Sequence, residues 1–356
     1  MTSWKTAPIA WRRMVPILTG AAVLAAGAVI PALGDDRAPQ TLTVCPFDAL
    51  TADCDYTSIA QAADAAGEGD TIVLRKGVYR EAAFLNAARL TLRAEPGAHM
   101  QGVAVEEKAA LVVRGDDTVI EGLECSRIAV SHGNGACVRA EGRNLTLRGV
   151  YFHHSQDGIL GGRGRILIED SRFEHLGGDR ATRIGSAHGI YIGHRAEELI
   201  LRRSMVLASK EEGHEVKSRA KRTIIEDNVI GSQDGVDSRQ IDLPHGGEIV
   251  IRRNILQKGR RSTNPQFIAI GLERGNQPEL DRDYETGPAL IEDNIFIVDL
   301  RRPTYLVAVK DVARAQRTNN TVVGREPTDM GDSRRILTRK AAGLPPYPLL
   351  PAAPPF

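Results

Sequence analysis

Ile225-Glu226-Asp227-Asn228-Val229-Ile230, Ile251-Arg252-Arg253-Asn254-Ile255-Leu256 and Ile291-Glu292-Asp293-Asn294-Ile295-Phe296 are three copies of one six-residue phrase. An apolar residue is followed by two polar or charged ones, then Asn, then a second apolar pair. Looser copies start at Ile120, Leu147, Ile168 and Leu201, and a last one at Thr318. Most steps between copies fall between 21 and 33 residues, with one of 40. Apolar residues alternating with polar ones over a few positions mark a short strand with one buried face. No single copy can bury that face alone, so neighbouring copies must stack. An Asn recurring at one place can then hydrogen-bond to its counterparts along the stack. Helical repeats would need a 3.6-residue period and helices of ten or more residues, which are absent. Strands joined by parallel crossovers are right-handed in nearly every case. The predicted fold class is therefore all-β, a right-handed parallel β-helix.

Working outward, residues 55–63 show helix-like apolar spacing behind a Ser/Thr start signal. A short N-terminal helix there would cap the open end of the first coil. The coils, cap included, are predicted over 35–324. Residues 325–356 are Pro-rich and aperiodic, an extended tail whose packing the sequence leaves open. At the other end, Lys5, Arg12 and Arg13 precede the uncharged run 15–30, and Ala32-Leu33-Gly34 offers a small-x-small cleavage site. Residues 1–34 read as an export signal, or as an uncleaved anchor, and either reading sets the body in the periplasm or outside the cell.

Composition agrees with this picture. The 356 residues carry 46 Lys+Arg against 45 Asp+Glu, a net charge of +1, which gives no support for a nucleic-acid partner. Aromatic residues make up only 4%, so the interior must be aliphatic and layered. No P-loop, dinucleotide fingerprint or Ser-His-Asp signature occurs. Four cysteines suit an oxidising compartment. Cys45 and Cys54 are expected to form a local disulfide, whereas Cys125 and Cys137 read either as a pair or as two small interior residues, the second being preferred.

The chemistry-bearing residues follow from placing Ile159, Ile190, Val216, Val236 and Ile268 in one inward row. Alternation then turns their neighbours outward. Leu160, Tyr191, Lys217 and Asp237 form one outward row, Arg219 and Arg239 the next, and Asp157, His188, His214 and Asp234 start the strands. Strands stacked about 4.8 Å apart would bring these groups within reach of a single sugar ring. Eliminative cleavage of a uronate polymer requires neutralisation of a carboxylate, a base and an acid. Lys217 is the candidate base, the arginines are candidate carboxylate clamps, and Tyr191 or His188 is the candidate acid. Arg219, His214, Asp237 and Glu273 are the candidate substrate-binding residues. Plainer readings stand beside these: Lys217 with Asp237 as a surface ion pair, and His188 and His214 as turn residues bonding the backbone.

The run Gly69-Asp70-Thr71-Ile72-Val73-Leu74, the run Gly77-Val78-Tyr79-Arg80-Glu81 and the repeats from Ile120 to Val323 resemble bacterial pectate-lyase-like parallel β-helix proteins (PbH1 repeats). That resemblance covers most of the chain and is specific for fold, not for reaction. Lys217-Ser218 followed by Arg239 resembles the Lys–Arg pair of the chondroitinase B and alginate lyase group, which implies Lys217 as base and Arg239 as acid or clamp. The same group implies calcium held by acidic residues before the lysine. Glu211, Glu212 and Glu215 are the equivalents, with Glu215 the metal-ligand candidate, although their spacing differs and Gln240 replaces an expected His. The residues themselves imply no other cofactor. The sequence thus points to a monomeric, exported polysaccharide lyase acting on an acidic polysaccharide. The alternatives are a C5-epimerase, or a non-enzymatic glycan-binding or envelope-structural solenoid.

Overall fold

A computed structural model describes residues 37–49, 53–178, 187–273, 284, 287–310 and 315–352. The residues from Arg37 onward form one compact unit. The expected export segment, 1–34, lies outside the described residues.

The chain winds into a right-handed parallel β-helix whose coils present three faces. The first face runs from Ala83–Leu85 through Ile190–Ile192, Val216–Ser218 and Ile241–Leu243 to Tyr305–Val309. The second runs from Thr41–Val44 through Thr71–Leu74 to Ala315–Thr318. The third runs from Gly77–Tyr79 to Arg334–Ile336. The long strands Ala136–Arg148 and Asp157–Glu169 turn the corner between the first two faces without a break, merging them into an eighteen-stranded sheet; the third face is a separate eleven-stranded sheet. Among the described residues the strands of both sheets pair in parallel, so each side chain sits over its counterpart one coil away.

That register makes the core a set of columns. Val138, Ile159, Ile190, Val216, Ile241 and Ile268 stack inward on the first face, and all are fully buried. Ile120, Leu147, Ile168, Leu201, Ile225, Ile251 and Ile291 form the column of the second face. On the third, Phe152 and Phe173 meet edge to face at 5.5 Å. Burying each such side chain stabilises the fold by about 1.5–3 kcal/mol.

The repeated Asn sits at the bend between the second and third faces. The residue before it adopts a left-handed conformation in each coil: Asp227 (φ 59°), Arg253 (53°), Asp293 (55°) and Asn319 (53°). The bend exposes backbone groups that side chains then satisfy. The Nδ2 of Asn254 donates to the Ile225 carbonyl at 2.8 Å and to Asn294 Oδ1 at 3.0 Å, while its Oδ1 accepts from the Asn228 backbone N–H at 3.0 Å. Asn294 and Asn320 continue the ladder, and Ser204 and Ser171 carry it toward the N-terminus.

At the N-terminal end the helix Ile59–Ala65 covers the first coil with Ile59, Ala62 and Ala63. Ser58 caps it by accepting from the Gln61 N–H, and Glu81 accepts from both Ser58 Oγ and the Ile59 N–H. Cys45 is joined to Cys54. Cys125 is joined to Cys137, which corrects the preference for two separate interior residues: they lie on the third and first faces of the same coil, 5.9 Å apart at Cα, and meet across its interior. Strand pairing also continues past residue 324, because Arg334–Ile336 adds a final strand to the third face. The tail then doubles back over that face. Arg339 donates to both oxygens of Asp299, the Tyr347 ring lies 4.3 Å from the Arg260 guanidinium, and Leu350 packs on Leu207 and Val229.

Candidate active site

The site lies on the outer side of the first face. Residues one place after the inward column form a single outward row: Arg139, Leu160, Tyr191, Lys217 and Asp242. The sequence reading placed Val236 in the inward column and Asp237 beside Lys217. In the structure Ile241 occupies the column and Asp242 stands next to Lys217. The cause is the length of the turn. Gly235 N–H donates to the Ser232 carbonyl at 2.7 Å, so the Gln233-Asp234-Gly235 run turns instead of entering a strand.

Asp237 is consequently a buried residue and not part of the outer face. Its carboxylate accepts from Ser232 Oγ at 2.9 Å, from Gln240 Nε2 at 2.6 Å and from Ser262 Oγ. Glu215 shares that interior: it is fully buried and bonded by the Ser209 backbone N–H at 3.0 Å and hydroxyl at 2.6 Å. Burial, and after it the nearby Asp237 charge, push its carboxyl well above the ordinary range. The fully buried Lys258, pushed down by burial to about 8, supplies the cation for this pocket. Glu215 therefore points to the interior and away from solvent, and does not join Glu211 and Glu212 in an outer metal site.

The residues that begin each strand form a second ladder. His188 N–H donates to Asp157 Oδ1 at 2.7 Å, His214 N–H to His188 Nδ1 at 3.0 Å, and Arg239 N–H to His214 Nδ1 at 3.2 Å. Because each Nδ1 accepts, each Nε2 carries the proton, so both rings are neutral Nε2–H donors. Burial first, and neighbouring positive charges second, hold both imidazoles well below their usual pKa. The rings stack with centroids 4.9 Å apart, and the Tyr191 ring meets His188 edge-on at 5.2 Å. His188 is 2% exposed. It supports Tyr191 from beneath and does not reach the surface as an acid. Gly189 permits this stacking, since a Cβ there would stand 2.5 Å from the Glu215 carbonyl oxygen. Arg239 belongs to this ladder and not to the row of Arg219, as the sequence register had it.

The polar groups converge above these ladders. Lys217 Nζ lies 2.7 Å from Glu273 Oε1 and 3.5 Å from Asp242 Oδ2. Arg219 donates to Glu273 Oε2 and to His245 Nε2, and its Nε donates to the Tyr191 hydroxyl at 3.2 Å. Arg239 Nη1 reaches Asp242 Oδ1 at 3.3 Å, while its buried Nε–H has no hydrogen-bond partner among the described residues. His214 Nε2 stands 3.5 Å from Asp242 Oδ2. Burial pushes the Asp242 carboxyl up, against the opposing charges of Lys217 and Arg239. Burial also acts upward on Glu273, but the hydrogen bond and charge of Lys217 and the charge of Arg219 outweigh it and leave Glu273 below the usual range. Asp242 and His245 are the site residues that register reasoning missed. The Asp242-Leu243-Pro244-His245 run was the available signal, and only the position of the turn assigns it to the site.

Beside Tyr191 the face opens into a groove of about 680 Å³ toward the N-terminal coils. Arg139, Arg163 and Arg195 line it together with Leu160, Gly161 and Gly162. A groove rich in guanidinium groups, floored by apolar residues and glycine, suits an anionic sugar chain.

Among solved structures, the pectate lyase Pel9A superposes with a TM-score of 0.55 at 12% identity, over 85% of this chain and 78% of that one. The fold is that of the pectate-lyase-like parallel β-helix. An alginate lyase from Paenibacillus sp. str. FPU-7 gives 0.48 at 15% identity over 84% of this chain and 98% of its own. A family 28 exopolygalacturonase from Yersinia enterocolitica gives 0.47 at 12% identity, over 81% and 72%. No family model matches the chain, and no curated protein matches it. At such identities the shared feature of the pectate-lyase-like proteins is the winding of the chain, and the reaction rests on the site itself.

Proposed function

We propose that this protein acts on a uronic-acid-containing polysaccharide by β-elimination, outside the cytoplasm. The observation that carries the reading is the meeting of Tyr191, Lys217, Arg219, Arg239 and Asp242 on adjacent coils at the end of an arginine-lined groove. The Arg239 side chain, partly exposed beside Asp242, is the cation placed to engage the sugar carboxylate. Asp242 Oδ2 lies 3.5 Å from Lys217 Nζ and is the partner that orients the amine. Lys217 then removes the proton beside the sugar carboxylate, the C4–C5 double bond forms, and the C4–O4 bond breaks. The departing oxygen takes the Tyr191 hydroxyl proton, since Arg219 occupies that hydroxyl only as a donor. Two disulfides support an oxidising compartment.

A second reading rests on Glu273, which neutralises Lys217 and Arg219 together. With Lys217 held as an ammonium, the face would bind an acidic glycan without cleaving it. The test is to incubate the purified chain with alginate, glucuronan, chondroitin and bacterial exopolysaccharides and to follow absorbance of the unsaturated uronate. Product is expected from at least one polymer, falling about 10²–10⁴-fold in Lys217→Ala. Binding that is lost in Arg239→Ala but never yields product would establish the binder. Solvent deuterium entering C5 without chain cleavage would establish the C5-epimerase.

A further inference from the structure

We propose that the third face carries a binding site for a divalent transition metal of the zinc type, formed by His99, Glu124 and His153 on three successive coils. The ligating atoms of these three side chains all lie within 4.8 Å of one another. The strands Ala98–Gln101, Glu124–Ser126 and Tyr151–His153 are paired in register, which sets His99 directly beside Glu124 and His153 two positions along, on the same side of the sheet. His99 Nδ1 is 3.6 Å from Glu124 Oε1, and His153 Nε2 is 3.2 Å from the same oxygen. Ligands bound at 2.0–2.1 Å in a tetrahedral site stand about 3.3 Å from one another. The two carboxylate–imidazole spacings already fall near that value.

The second line of evidence is how the rings are held. A metal-binding histidine commonly has its other ring nitrogen bonded to a partner that fixes ring and tautomer. Here His99 Nε2 bonds Ser126 Oγ at 2.8 Å, and His153 Nδ1 bonds His154 Nδ1 at 2.8 Å. Each ring thus turns its remaining nitrogen toward Glu124. The Tyr151 ring stacks on His153 at 4.3 Å and holds it in place, while the nearby Glu174 is taken up by Tyr151 and Arg172. Among the described residues, the charged partners within bonding distance of Glu124 are these two histidines and no lysine or arginine. Both imidazoles retain 15% side-chain exposure and Glu124 33%, so an ion can enter from solvent and keep a water in the fourth position. Two nitrogens and one carboxylate oxygen select zinc, cobalt, nickel or copper over calcium or magnesium. The site is independent of the Lys217 face. Through Glu124 and the adjacent Cys125–Cys137 disulfide, it would fasten the same coil from outside and inside.

The test uses the full chain without an affinity tag, stripped with a chelator and titrated with Zn²⁺ by calorimetry and with Co²⁺ by visible absorption. One ion per chain at about micromolar Kd or tighter, with the intense bands of four-coordinate cobalt, is the expected result. His99→Ala, His153→Ala and the isosteric Glu124→Gln should each weaken binding at least tenfold, while leaving the metal-free urea midpoint near that of the parent. Ser126→Ala should weaken it about tenfold through loss of ring orientation, and Lys217→Ala should leave it unchanged. Absence of stoichiometric uptake, or uptake that persists in a His99→Ala/His153→Ala double variant, would overturn the assignment.

Discussion

Asp157 begins the ladder that positions the site, and it does so as a fully buried carboxyl with one oxygen accepting from His188 and the other without a partner among the described residues. Burial raises its pKa to about 8, against the hydrogen bond from His188 and the charge of Arg139. An aspartate in the unfolded chain titrates near 3.9. Between about pH 4 and 8 the folded protein therefore holds a proton that the unfolded chain has released, so rising pH weakens folding across that window. His188 and His214 act in the opposite sense. Their folded pKa values are depressed, the unfolded chain takes up protons below about 6.5, and stability falls as the solution is acidified. Asp157→Asn keeps the acceptor and removes the titration. Relative to the parent, its stability in urea should improve with pH by up to about 1.4 kcal/mol per unit across the upper part of the window. Parallel pH profiles for parent and variant would refute the buried-acid role.

At the scale of the element, two ladders perform different tasks. On the second face an outward row alternates in charge, Arg93, Glu121, Arg148, Glu169, Arg202, Glu226 and Arg252, so each coil attracts the next. Glu169 accepts from Arg148, Arg202 and Arg203, and although burial acts upward, those three bonds bring its carboxyl down to about 2. The more exposed pairs of the row, such as Arg93 with Glu121, add little individually, about 0–1 kcal/mol. The Asn ladder matters more because it satisfies buried backbone groups. Asn254→Ala would strand the Ile225 carbonyl and the Asn228 N–H inside the bend, at roughly 1–3 kcal/mol for each orphaned group. A urea midpoint lowered to match is expected, with the circular dichroism of the remaining coils retained. An unchanged midpoint would mean that water replaces the side chain.

For the molecule as a whole, function and closure occupy different faces. The groove and Lys217 lie on the first face, while the returning tail covers the third from Asp299 back to Leu207. Removing residues 337–356 would uncover Leu207, Val229, Met205 and Ile255. Loss of the partly buried Leu350 and the Arg339–Asp299 pair should cost roughly 1–3 kcal/mol and increase binding of a hydrophobic dye. The rate of product formation per folded molecule should stay the same. A matching fall in that rate would show that the tail supports the catalytic face after all.

The winding of the chain was legible in the sequence because stacking repeats one environment. The same apolar and Asn positions return in every coil, and alternation within each strand fixes which side faces in. The capping helix, with Ser58 before Ile59, was legible for the same local reason. Which residues share the outer face at Lys217 was not. That depends on how many residues the turn after Gly231 consumes, and Ile241 displaces Val236 only because Asp237 is drawn inward to Lys258, Ser232 and Ser262. The His99–Glu124–His153 cluster escaped the sequence reading as well, since its members stand 25 and 29 residues apart and meet only through the register of three strands. Periodicity is a property of the chain, whereas adjacency across coils depends on turn lengths that only the folded core can set.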